Sequence, residues 1–176
     1  MNKSVSDKQI KELFNNKCNV ISYDEIYKHQ SLNSLLHPYG HAIILYVWDD
    51  MPSYSGHWVA LCYHKNNKLL FFDSLGNSDI ELLKEVPHRV SVRTHQSYPY
   101  LSNLILKSKC EPEYNITQLQ QDGSATCGRY SCHMIRNIHK FKTLNDYINH
   151  YFPNASNKLE NDKRILQETS NYFKDM

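Results

Sequence analysis

The chain has 176 residues, 40% of them hydrophobic and 22% charged, with a formal charge of +2. That length suits one domain with a sizeable core, and thirteen Tyr against five Gly exclude a low-complexity chain. Near-neutral charge gives no ground for a nucleic-acid partner, and no apolar run is long enough to span a bilayer.

The start, Met1-Asn2-Lys3-Ser4, leads into a polar segment and has no secretory core, so a protein made and kept inside a cell is expected. Five cysteines, Cys18, Cys62, Cys110, Cys127 and Cys132, make an odd number, which argues against a disulfide framework. Cys127, Cys132 and His133 lack the C-x2-C spacing of zinc sites, so no metal site is expected. Asn115-Ile116-Thr117 and Asn154-Ala155-Ser156 match the glycosylation pattern and read as coincidence without a secretory route.

Ser6-Asp7-Lys8-Gln9 has the form of a capping box, and Ile10, Leu13 and Phe14 follow at helical spacing, which predicts a helix over about residues 7–16. Tyr23 to Tyr27 predicts a short helix capped by Ser22, and Ser31 to Leu36 another turn ended by His37-Pro38-Tyr39-Gly40. His41 to Trp48 is a continuous apolar run of strand length. Asp49 to Gly56 is read as a loop. His57 to His64 predicts a second strand, and the short turn Lys65 to Lys68 makes Leu69 to Asp73 its hairpin partner. Two such apolar strands belong to the antiparallel middle of a sheet covered on both faces.

Ser78 is positioned to cap a helix carrying Ile80, Leu82, Leu83 and Val86, with Pro87 ending it. Arg89 to Arg93 alternates weakly and reads as an edge strand. Tyr100 to Leu106 is expected to be helical, Lys107 to Pro112 a loop, and Tyr114 to Leu119 a strand. The polar run Gln120 to Thr126 then delivers Cys127 to the start of a helix whose Tyr130, Met134 and Ile138 recur at four-residue spacing. Thr143 opens a further helix closed by Pro153, and Leu159 to Phe173 predicts a last amphipathic helix. With no internal repeat or linker, the chain reads as a single α+β domain over residues 1–176.

Three chemically useful residues fall at element ends. Cys127 sits where a helix N-terminus stabilises a thiolate. In a tight hairpin the start of one strand and the end of the next lie side by side, so His57 and Asp73 are expected to be cross-strand neighbours. His57 would take the thiol proton and later protonate the leaving amine. Asp73 would orient the imidazole. A glutamine just before Cys127, with the Cys127 N–H, would hold the oxyanion. Singly, each has a plainer reading: a structural histidine beside Trp58, a turn-forming aspartate, a buried inert thiol.

Gly56-His57-Trp58-Val59-Ala60-Leu61, Phe72-Asp73-Ser74-Leu75-Gly76 and Gln120 to Gly128 resemble the three signature blocks of the adenain and SUMO-protease superfamily of cysteine peptidases. The resemblance covers about residues 40–140 and preserves the order His, Asp, Cys, the reverse of papain's. It implies a papain-like, circularly permuted α+β fold, with a mixed central sheet and the catalytic helix packed on it. It further implies His57 as base, Asp73 as orienting acid and Cys127 as nucleophile. The oxyanion glutamine is Gln120 by the spacing of the viral branch and Gln121 by that of SUMO proteases; the Ser124 to Tyr130 string looks more like the viral branch. Trp58 resembles the tryptophan that in SUMO proteases lines the channel for a Gly-Gly tail.

A compact chain rich in Asn, Lys, Ile and Tyr looks most like the maturation proteases of large DNA viruses, virophages and Polinton-type elements. By that likeness it would be a monomer of the virion and of the host cytoplasm or virus factory, cleaving capsid and core precursors at small-residue, Gly-containing sites. The alternative substrates are conjugates of ubiquitin or ubiquitin-like proteins; a catalytically inactive virion-associated binding protein is the alternative of another class. The likeness also brings a peptide or DNA activator, to which the charge lends little support. The chemistry requires no metal or organic cofactor, and no membrane partner is expected.

Overall fold

A computed structural model describes residues 4–173; the polar start at Met1 to Lys3 lies outside them. Its centre is a five-stranded mixed sheet whose strands lie side by side in chain order. They are β1 (Asn19–Ser22), β2 (His41–Asp49), β3 (Ser55–His64), β4 (Lys68–Phe72) and β5 (Glu111–Tyr114). The β2–β3 and β3–β4 pairs are antiparallel, while β1 runs parallel to β2 and β5 parallel to β4. The protein is therefore α+β.

Period-two alternation sends the two faces of the central strands into separate cores. Ala42, Ile44, Tyr46, Val59, Leu61, Leu69 and Phe71 pack with Tyr23, Ile26, Leu35, Leu36 and Leu101 on one side. Ala60, Cys62, Leu70 and Phe72 pack with Tyr130, Met134, Ile138, Tyr147, Phe152 and Ile165 on the other. Covering on both faces explains why β2 and β3 read as unbroken apolar runs and not as alternating ones.

The helices follow their caps. The Ser6–Gln9 capping box opens α1 (Asp7–Leu13), Ser31 caps α2 (Leu32–Leu36), and Ser78 caps α3 (Asp79–Glu85). A 3-10 turn occupies Tyr23–Lys28. Further on come α4 (His88–Arg93), α5 (Tyr100–Lys107), α6 (Cys127–Asn137), α7 (Leu144–Tyr151) and α8 (Lys158–Glu168). Of these, α6 packs across β3, burying Tyr130 and Met134 beneath the sheet.

Several expectations need correction. Arg89 to Arg93 is helical, not an edge strand: Pro87 precedes its first turn, and Val90, Ser91 and Thr94 are the buried positions, a helical spacing that the alternating valines disguised. The strand expected at Tyr114 to Leu119 lies earlier, at Glu111–Tyr114, and half of the expected Lys107 to Pro112 loop belongs to α5 or that strand. The loop after Asp49 ends sooner than expected, because Ser55 and Gly56 already pair with β2. The first helix stops at Leu13, where Asn15 and Asn16 take positive φ. The last stops at Glu168, and β1 carried no signal that set it apart from its neighbours.

Candidate active site

The β3–β4 ladder ends at Ala60–Phe72. Asp73 is thus one residue beyond the ladder and His57 three, so the two are the expected cross-strand neighbours, set on a diagonal that their side chains close. His57 Nε2 hydrogen-bonds Asp73 Oδ1, and both side chains are essentially excluded from water. Asp73 is held from three sides. Its Oδ1 also accepts from the Leu75 N–H at 3.0 Å, and its Oδ2 from the Asn77 N–H at 2.9 Å. Asn115 clasps its backbone, accepting from the Asp73 N–H at 2.8 Å and donating to the Asp73 carbonyl at 2.5 Å. That places Asn115, 5% exposed, in the support of the site; the sequence showed it only as part of a sequon.

With Nε2 engaged on Asp73, Nδ1 is the ring nitrogen left for Cys127, and the imidazole and thiol are close enough to bias each other's ionisation. Cys127 is the first residue of α6, buried in the same cluster as Trp58 and Val5. Burial by itself would push the thiol up and the imidazole down. The attraction between the thiolate and the imidazolium outweighs it, helped at sulfur by the backbone of Trp58 and Gly128 and at the ring by Asp73. The net result is a lowered Cys127 and a raised His57, so the pair favours thiolate and imidazolium. The other buried thiols go the other way. Burial lifts Cys18 and Cys62 to about 12, and Cys132 well above its ordinary value.

The two glutamines separate cleanly. Gln120 is 3% exposed and lines the groove over Cys127. Its Oε1 accepts from the Ser74 hydroxyl at 2.7 Å and its Nε2 donates to the Ser124 carbonyl at 2.6 Å, which fixes the amide's orientation and leaves one N–H uncommitted by those bonds. Gln121 is exposed, and its backbone N–H donates to Asp162 at 3.3 Å. Asp162, a buried carboxylate of α8 that sequence reading passed over, also accepts from the Thr126 and Tyr130 hydroxyls, each at 3.0 Å. It thereby ties the last helix to the loop that presents Cys127.

Trp58 is 7% exposed. Its Nε1 donates to the Val5 carbonyl at 3.0 Å, and its ring edge lies against Gly128. It is a packed aromatic and a wall of the groove at once. That groove, about 1080 Å³, runs past Cys127, His57, Trp58 and Gln120 towards Leu45, Val5 and Tyr54. Among the described residues no group of three or more His, Cys, Asp and Glu side chains is arranged to hold a metal, and no helix is long and apolar enough to cross a membrane.

No family model matches the chain. It is similar to the uncharacterized protein V9 of Sputnik virophage, with 28% identity over 162 residues covering 89% of this chain and 91% of that protein. The likeness spans nearly both chains and makes the relationship a viral one.

Proposed function

We propose that this protein is a cysteine endopeptidase of the adenain and SUMO-protease type, with a papain-like, circularly permuted active site. The observation that carries the reading is the convergence of three separate stretches of chain: Cys127 and His57 at the wall of one groove, with the buried Asp73 bonded to His57. In this reading the Cys127 thiolate attacks the scissile carbonyl carbon. The tetrahedral oxyanion is held by the Cys127 N–H and the free N–H of Gln120. His57 gives its Nδ1 proton to the leaving amine, and the acyl group stays on sulfur as a thioester. His57, now neutral, takes a proton from water, the hydroxide equivalent attacks the thioester, and the carboxylic acid leaves as the thiolate re-forms. Asp73 keeps the Nε2 proton engaged throughout, so the proton moves only at Nδ1.

The virophage relationship supports a viral setting; the resemblance of the signature blocks adds a role in virion maturation, with capsid and core precursors as substrates and small, Gly-containing sites as the points of cleavage. The deciding experiment sets purified protein against virion precursor proteins and, in parallel, against ubiquitin- and SUMO-based fluorogenic substrates. Cleavage of the precursors, absent in Cys127→Ala, is expected. Rapid turnover of the modifier substrates with precursors left intact would move the function to deconjugation. A binding role would stand instead if a thiol-directed electrophile, tested in a Cys110→Ser background to remove the partly exposed thiol, labelled wild type and Cys127→Ala alike.

A further inference from the structure

Where β2 meets β3 the register slips. Val47 pairs with Gly56 and Asp49 with Ser55, leaving Trp48 as the extra residue of a β-bulge. Bulges beside functional sites turn a side chain away from the direction that regular alternation gives it. Here the turned side chain lies flat on His57: the indole and imidazole centroids are 5.3 Å apart and the planes 9° from parallel.

The bulge is secured on both flanks. On one, Gln96, 1% exposed, accepts from the Val47 N–H at 2.9 Å and donates to the Val47 carbonyl at 2.8 Å, taking the place of a neighbouring strand. On the other, Gly56 passes so close that a Cβ there would stand 1.8 Å from the Tyr46 carbonyl oxygen and 2.8 Å from the Trp48 nitrogen. Only glycine permits that approach.

The Trp48 ring forgoes something for this position. Its Nε1 is the one buried side-chain polar atom among the described residues without a hydrogen-bond partner. Buried indole N–H groups ordinarily find an acceptor. No hydrogen bond of its own orients the ring; it is held by the stack on His57 and by the apolar cluster that includes Val47 and Val90.

We propose that Trp48 is a positioning residue for His57: its face fixes the plane of the imidazole between Asp73 and Cys127 and favours the protonated ring. A cation close over an indole face is attracted by the ring's quadrupole. A fixed plane keeps Nδ1 aimed at the sulfur while Nε2 stays on the carboxylate. This adds a member to the site from outside the three signature blocks.

The test compares Trp48→Phe, which keeps an aromatic face, with Trp48→Leu, which fills space without one; Trp48→Met carries the same comparison if the leucine variant does not fold. The first readout is the titration of the His57 ring, followed by NMR of imidazole nitrogens and assigned by its loss in His57→Gln. The second is kcat and KM on a cleaved peptide. Trp48→Leu is expected to bring the His57 titration and the alkaline limb of kcat/KM down by about half a unit to one unit. It should also lower kcat by about three- to tenfold with KM little changed, and Trp48→Phe should restore most of both. Equal titration and equal kcat in wild type and Trp48→Leu, or a leucine variant that matches the phenylalanine one, would overturn the assignment. Only the kinetic arm rests on the peptidase reading. If wild type cleaves nothing while the ring titration still falls in Trp48→Leu, the stacking role stands and the proposed activity falls.

Discussion

Helix α6 carries two cysteine–histidine neighbourhoods with opposite chemistry. At its start, Cys127 is lowered and its partner His57 raised. One turn further in, Cys132 is pushed well above its ordinary value, and His133 is pushed down to about 4 by burial and by Lys140 and Arg136. Both thiols are buried, so burial does not distinguish them. The distinction is a counter-charge. Cys127 has a buried imidazole that charges together with it and with Asp73, whereas the charges of Arg129 and Arg136 do not outweigh the burial of Cys132. His133 faces the Tyr147 hydroxyl at 2.8 Å, a ring of aromatics and, at 3.9 Å, the partly exposed carboxylate of Glu168. Desolvation drives every group here toward neutrality, and only a pair that ionises together withstands it.

The largest expected effect tests that contrast directly. Cys127→Ala should lose at least about four powers of ten in kcat/KM, whereas Cys132→Ala should keep activity within a few fold and lose only folding stability, by about 1–2 kcal/mol in denaturant titrations. A Cys132 variant as dead as the Cys127 one would erase the distinction between the two ends of the helix.

Next in size is the glutamine pair. Gln120→Ala should cost about two to three powers of ten in kcat with little change in KM, and Gln121→Ala less than about threefold, since its side chain points to solvent. Reversed losses would transfer the oxyanion contact to Gln121.

The smallest effect is the most discriminating. The active form is thiolate with imidazolium, so kcat/KM should rise with pH as Cys127 loses its proton, below the ordinary thiol range, and fall as His57 loses its own, above the ordinary imidazole range. Replacing sulfur by oxygen in Cys127→Ser removes the negative charge that raises His57, so the His57 titration should move to lower pH by NMR. His133 is not paired with Cys127 and should not move. An unshifted His57 in Cys127→Ser would mean that the two groups do not share charge.

How far the sequence disclosed this site depended on the kind of contact. The hairpin turn Lys65 to Lys68 brought His57 and Asp73 together, because loop length constrains where strand ends go. Helix starts at Ser6, Ser78 and Thr143 were plain for the same local reason. Register was not: whether Asp73 sits across from His57 or diagonal to it depends on how the ladder ends. Asn115, Gln96 and Asp162 were invisible because a polar residue far along the chain gives no sign of which backbone it will clasp. Trp48 read simply as the last residue of an apolar strand. A bulge is one inserted residue, and apolar patterning does not mark which one is extra.

The Asp162 clamp has a consequence for synthesis. A chain that has emerged only through α7 already contains His57, Asp73 and Cys127, yet it lacks the carboxylate that gathers Thr126, Tyr130 and the Gln121 N–H around the nucleophile's loop. On the peptidase reading, the loop that presents the nucleophile is thus tied in place only once α8 has docked. A chain ended at Tyr151 should leave Cys127 no more reactive toward iodoacetamide than an ordinary thiol.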